Sequence, residues 1–298
     1  MKRKVNLVGQ NTLTISLPSK WARKYDIKKG NELEMDERGN IIILSTTSDT
    51  RTPKRLEIEI KRNEDFLKRF ICGPYWRGYD EIYIKFEDKE VINSIQDNVN
   101  NLLGFEIIKQ GKDFCILGNI AGEIYKEFDS ILNRLMLVNI NQFKELYEYL
   151  SKNEFSKLSN ILSIEQTIDR LAYFCKRILN INGYSEPTKT CDIYLIVSIL
   201  EAISDNLKDI AELVDKRKIR LHHNTLEILK KLIEQQDDFY RLFDKYDRKS
   251  IVIFKKKRME IVKECINNED KMKKEEAIVT SILRTIAYQQ HHLIDCTF

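Results

Sequence analysis

The stretch Thr188–Lys216, TKTCDIYLIVSILEAISDNLKDIAELVDK, constrains the fold more than any other part of the chain. It holds neither Gly nor Pro, and Ile196, Ile199, Ile203, Leu207, Ile210 and Val214 recur at three and four residues. That period puts one wide apolar stripe on a helix. Pro187 stands just before it, where a helix start tolerates proline.

Glu201 and Asp205 sit off the stripe, four apart on one face. Two carboxylates at that spacing repel by a few tenths of a kcal/mol. The preceding helix carries the same spacing, Glu165-x-x-x-Asp169, and 181–186 reads as the turn between them. Thr167 lies 18 residues before Ser185 and Ile203 lies 18 after it. At about 1.5 Å per residue, two antiparallel helices bring both pairs to one height. Helix rotation decides whether they face each other. Two solvated acidic faces and a cation site are both open on this pattern.

From Ala121 the pattern stays helical, in segments near 122–151, 154–181, 188–217, 221–246, 249–268 and 270–295. Short loops make sequential helices antiparallel neighbours. Ser198-Ile-Leu-Glu201-Ala-Ile203-Ser-Asp205 realigns with Ser281-Ile-Leu-Arg284-Thr-Ile286-Ala-Tyr288, an offset of 83 residues. The helical region therefore reads as two related three-helix units. Glu201 maps to Arg284 and Asp205 to Tyr288, so the carboxylates are absent from the second copy. His222-His223 and His291-His292 read as exposed or capping residues, because neighbours on a helix point about 100° apart.

The 298 residues suffice for two or three domains, and 10 Gly and 4 Pro fit a largely helical protein. The net charge of +4 conceals an asymmetry: residues 1–55 carry +6 and residues 56–122 carry −3. Positive charge at the N-terminus suggests an anionic partner there. Cys72, Cys115, Cys175, Cys191, Cys265 and Cys296 form no CxxC pair and read as buried reduced thiols. No apolar run approaches a membrane span and the first residues lack a signal core, so a cytoplasmic protein without membrane insertion is expected. No Walker loop, Gly-rich dinucleotide turn or His/Ser/Asp constellation is present, and no catalytic residue is assigned. A metal-dependent hydrolase ranks last, because carboxylates on a convex bundle lack a pocket with a general base.

At the N-terminus, KRKVNLV and Thr12–Leu17 alternate as half-buried strands. Pro18-Ser19 opens a short helix, Gly30 ends it, and a hairpin turns at Arg38-Gly39-Asn40. Residues 1–46 form this domain. About 3–44 of it resembles the swapped-hairpin DNA-binding domain of the AbrB/SpoVT/MazE kind. The resemblance is carried by the strand into Leu17-Pro18, by Lys20-Trp21-x-x-Lys24, by Asp26-Ile27-Lys28-Lys29-Gly30-Asn31-Glu32-Leu33 and by the last strand, Ile41–Leu44. Asn31 stands where an acid is commoner. The resemblance implies an obligate homodimer forming one small β-barrel, and about 45 residues with one short helix bury too little surface alone. It also implies DNA as partner. The residues for that role are Lys2, Arg3, Lys4, Gln10, Asn11, Lys20, Arg23 and Lys24. The same fold also serves as an antitoxin that binds a toxin protein.

The polar Ser45–Lys54 stretch reads as a linker. Residues 47–120 then follow a β-α-β-α-β-β order, a small α/β sheet domain with its helices on one face. The aromatic cluster Tyr75-Trp76-Arg77-Gly78-Tyr79 reads as a packed cap on that sheet ahead of a base-stacking platform.

Residues 121–298, with tandem three-helix units and Leu200-Glu201-x-Ile203-x-Asp205 followed by Ile210-Ala211-Glu212, resemble the PhoU family of phosphate-uptake regulators. That resemblance implies a metal, iron or zinc, at Glu165, Asp169, Glu201 and Asp205, with Asp209 a further candidate. Glu260 and Glu264 keep the spacing in the second unit without a partner motif, so one metal site at most is expected. The three-part chain resembles a group of archaeal phosphate-uptake regulators. This implies a DNA-binding transcriptional regulator whose helical tail senses a signal or docks a phosphate-transporter ATPase or a signalling kinase. The alternative is an adaptor that dimerises through the barrel and binds a transporter or kinase without DNA.

Overall fold

The computed structural model describes every residue except 39–40, 47–52, 61–66, 89, 121–126, 270–271 and 298. It divides into two compact units, Met1–Pro53 and Lys54–Phe298.

In the first unit, β1 (Val5–Val8) pairs antiparallel with β2 (Thr12–Ile15), α1 (Ser19–Lys24) follows, and β3 (Leu33–Arg38) pairs with β4 (Ile41–Thr46). The order is the expected one, and the two hairpins are separate two-stranded sheets. Gly39 and Asn40 of the expected turn lie outside the described residues, as do 47–52 of the expected linker; Ser45 and Thr46 end β4. The turn after α1 is closed in both directions: Lys28 N–H donates to Asn31 Oδ1 at 2.6 Å and Asn31 N–H donates to Lys28 O at 3.1 Å. A carboxylate oxygen would accept the first bond equally well, which accounts for the exchange of acid for amide at this position.

None of the described residues of this unit is buried. Val5 faces Ile15 and Leu7 faces Leu13 across the first hairpin, so these four share one face. They are 55–70% exposed. In the second hairpin Met35 lies opposite Leu44, and Met35 and Ile42 are 69% and 62% exposed. The alternation that makes these segments strands thus produces apolar faces with nothing of their own unit to cover them.

The second unit begins with β5 (Arg55–Ile60), α2 (Leu67–Trp76), β6 (Glu81–Phe86), α3 (Val91–Val99), β7 (Phe105–Gln110) and β8 (Phe114–Asn119). The sheet order is β5-β6-β8-β7, parallel between β5 and β6 and antiparallel elsewhere. Ile82, Ile84 and Phe86 of β6 join Ile71 and Tyr75 of α2 and Ile95 of α3 in one core. Tyr75 is fully buried, edge-on to Phe105 at 5.0 Å, and Trp76 packs on Tyr173 at 5.2 Å. The aromatic cluster is therefore packing, and a base-stacking role for Tyr75 is ruled out by its burial.

Six long helices follow: α4 (Phe128–Ser151), α5 (Ser159–Asn182), α6 (Thr190–Arg217), α7 (His223–Asp244), α8 (Arg248–Glu269) and α9 (Lys274–Asp295). The stripe of α6 is the centre of the second core: Ile196, Ile203, Leu207, Ile210 and Val214 are fully buried, while the expected Ile199 is only partly buried at the edge of the core and Leu200 takes the fully buried place beside it. Helices α4, α5 and α6 pack together, as do α7, α8 and α9, and the halves meet through α6 on α9 and α4 on α7. Asn206 donates to Gln289 Oε1 at 3.0 Å, and these two residues are repeat counterparts. Equivalent positions therefore meet at the junction. The repeat extends to the first helix of each half, where buried Leu132, Met136, Asn139, Phe143 and Leu146 match buried Ile228, Leu232, Gln235, Phe239 and Leu242.

Candidate functional site

The N-terminal unit presents a cationic surface. Lys2, Arg3 and Lys4 lead into β1, Gln10 and Asn11 form the turn after it, and Lys20, Arg23 and Lys24 project from α1; all eight are exposed. No ion pair among the described residues engages any of the six cations. Lys24 instead lies over the Tyr25 ring at 5.2 Å, and Trp21 packs against that ring at 5.7 Å. Cations that the chain does not neutralise are free to exchange counter-ions for phosphate oxygens.

The second candidate is the carboxylate set between α5 and α6. The height match holds. Oxygens of Glu165, Asp169 and Asp205 lie within 4.8 Å of one another, so the helix faces meet as well. Lysines stand between them. Lys208 Nζ donates to Glu165 at 2.6 Å and to Asp205 at 3.0 Å. Lys68, from α2 of the sheet module, donates to Asp169 at 2.8 Å, and Tyr173 Oη donates to the same oxygen at 3.1 Å. Glu201 is outside the triple and accepts from Lys176. Asp209 is exposed.

Glu165 and Asp169 are nearly inaccessible, whereas half of the Asp205 side chain faces solvent. Burial pushes Glu165 and Glu201 above the usual carboxylate range, against the pull of Lys208 and Lys176 respectively. Burial opposes the Lys208 ammonium too, but its bonds to Glu165 and Asp205 outweigh this and raise its pKa. The set is therefore a lattice of four acids and three lysines. Its oxygen donors suit a hard cation in type, while Lys68 and Lys208 already supply the positive charge at the three converging carboxylates. In the second half, Lys231 donates to Glu264.

Arg177 escaped the sequence reading. It is 2% exposed and lies over the Tyr75 and Phe105 rings at 5.1 and 5.0 Å. It donates to Tyr75 O at 2.8 Å, Tyr79 O at 2.6 Å and Asp80 Oδ1 at 3.0 Å. Helix α2 ends in a Schellman turn: Gly78 has φ +81°, its N–H donates to Tyr75 O, and Tyr79 N–H donates to Pro74 O. Arg177 binds the outside of that turn, and Asn180 adds a bond to Trp76 O at 2.7 Å. Together with Lys68, these bonds fasten the sheet module to α5. The available signal was Lys176-Arg177 inside the apolar run Leu171–Leu179.

The histidines behave largely as expected. His222 caps α7 by accepting from Asn224 N–H, and His223 is exposed. His291 is half-buried, which lowers its pKa. Five cysteines are buried; Cys191, in the first turn of α6, is exposed and departs from the expectation. No helix among the described residues is long and apolar enough to cross a membrane.

Residues 8–64 match the family model described as "Antidote-toxin recognition MazE, bacterial antitoxin". The N-terminal segment thus carries a MazE-like domain. No curated protein matches the chain. Among solved structures, the phosphate transport system regulatory protein PhoU from Streptococcus pneumoniae is similar to 58% of this chain and 92% of its own, at 13% identity and a TM-score of 0.47.

Proposed function

We propose that this chain is a homodimeric DNA-binding regulator of phosphate uptake. Two copies complete one N-terminal barrel, and the helical region acts as sensor or docking module for a transporter ATPase or a kinase. The observation that carries the reading is the first unit itself: two amphipathic hairpins with bare apolar faces, beside six cations that are in no ion pair among the described residues. Burying Val5, Leu7, Leu13 and Ile15 against a second copy would contribute about 2 kcal/mol per side chain. The phosphate assignment rests on the PhoU-like motif Leu200–Asp205 and on the tandem three-helix units, whose repeat counterparts Asn206 and Gln289 meet. A metal at Glu165, Asp169 and Asp205 belongs to this reading as a competitor of Lys208 and Lys68, which it would displace.

The test is binding of the full chain to a random duplex pool across a salt series, with Arg3→Ala/Lys4→Ala/Arg23→Ala alongside. Removing three cations from each of two protomers should make the log–log slope shallower by about five, and that result supports the reading. No binding at low salt by a dimeric preparation contradicts it and favours the adaptor.

A further inference from the structure

We propose that the turn between α6 and α7, with the first turn of α9, forms a binding site for a small phosphate-type anion, either inorganic phosphate or pyrophosphate or the diphosphate of a nucleotide. The site belongs wholly to the second unit and is independent of DNA binding by the first. Helix α6 ends at Lys218 in the left-handed conformation, φ +48°, and Lys216-Arg217-Lys218-Ile219-Arg220 brings four cations into five residues. A pocket of about 620 Å³ opens there, lined by Arg217, Lys218, Arg220, Lys273, Glu275 and Glu276. Its size is that of a small-molecule site.

The walls are held before any ligand arrives. Glu276 is buried, and its Oε1 accepts from His222 N–H at 2.7 Å and from Thr225 Oγ1 at 2.6 Å. These bonds tie the α6–α7 turn to the start of α9. Arg217 donates to Glu275 at 3.2 Å across the same gap, and Lys218 donates to Asp215 at 2.6 Å. Arg220 and Lys273 stand exposed, in no ion pair among the described residues. Arg217 is paired with Glu275 and Lys218 with Asp215, so Arg220 and Lys273 are the two lining cations left to meet an anion, and with buried Glu276 counted the balance stays positive by one. Glu275 and Glu276 occupy the first turn of α9 and oppose anion binding by the helix end itself, so the side-chain cations define the site. A fixed, concave, cationic wall suits a compact anion, whereas duplex DNA needs an extended surface.

Calorimetric titration of sodium pyrophosphate into the full chain, with inorganic phosphate and sulfate at matched ionic strength, is the test. Saturable binding that weakens at least tenfold in Arg220→Ala/Lys273→Ala, and less than twofold in Lys255→Ala/Lys256→Ala on α8, supports the site. Both pairs expose their side chains, and unchanged melting curves confirm intact folds. Three results would overturn it: no saturable heat; equal losses in both pairs, which marks a general cationic surface; or a loss of duplex-DNA affinity in Arg220→Ala/Lys273→Ala that matches the loss of pyrophosphate, which reassigns the turn to nucleic acid.

Discussion

The two units of this chain solve the same problem in opposite ways. In residues 54–298 the apolar stripe of α6 and most core positions of α9 are fully covered inside the unit, although Val252, Met259 and Ile266 of α8 stay more than half exposed. In residues 1–53 the strands form with correct alternation and none of the described side chains becomes buried. Local pattern is thus enough to make a hairpin, while stability needs a second layer. One unit contains its second layer in sequence, and the proposed homodimer supplies the other's from a second copy of the chain. Charge divides in the same way. In the second unit Lys68, Lys176, Arg177 and Lys208 are engaged by internal acids and carbonyls, whereas in the first unit Lys2, Arg3, Lys4, Lys20, Arg23 and Lys24 are in no ion pair among the described residues.

The comparison breaks first if the apolar faces are made polar. Leu7→Lys/Leu13→Lys should abolish dimers and remove amide protection from β1–β4, with α4–α9 unaffected; sedimentation velocity and hydrogen exchange report both. Within the second unit, Lys176→Ala leaves the Glu201 carboxylate in a site where its side chain is 18% exposed. A loss of about 3 kcal/mol in chemical denaturation is expected, and Lys176→Met/Glu201→Leu should recover most of it. Arg177→Ala removes the donor to Tyr79 O, one of the two donors to Tyr75 O and a partner of Asp80, at about 2 kcal/mol. Faster hydrogen exchange should then appear in α2 and β6, while α7–α9 stay protected.

A smaller effect, of opposite sign, is expected at Gln235. It is fully buried in α7, and neither Nε2 nor Oε1 has a partner. Gln235→Leu should stabilise the second unit by about 1 kcal/mol, read as a rise in denaturation midpoint. The smallest effect concerns pH. Burial raises Glu165 and Glu201 above the usual 4.5, so the folded state holds their protons more firmly than the unfolded chain. Their contribution to stability is complete below about 4.5 and is lost as pH rises through the raised values. Stability of Glu201→Gln should be flatter with pH across that window than stability of the parent chain.

Element order was legible in the sequence because period two and period 3.6 are local properties, and the helices of 128–295 fall where the periodicity put them. The level match of Glu165 and Asp169 with Glu201 and Asp205 followed from rise per residue and a turn at Ser185 alone. What stayed hidden was tertiary. Lys208 is three residues beyond Asp205, yet only helix rotation makes it bridge to Glu165. Lys68 reaches Asp169 across 101 residues of chain, and Arg177 reaches Tyr79 across 98. The bare faces of the first unit were legible as alternation, since Val5, Leu7, Leu13 and Ile15 must share a side. Their lack of an internal partner needed the structure.

The central claim is that the first unit is completed by a second copy, and the mass in solution tests it most directly. Sedimentation equilibrium of the full chain should return twice the 35.3 kDa of one chain across a dilution series, and Leu7→Lys/Leu13→Lys should return a single mass. A parent chain that stays at 35.3 kDa while its β1–β4 amides remain protected from exchange would contradict the account.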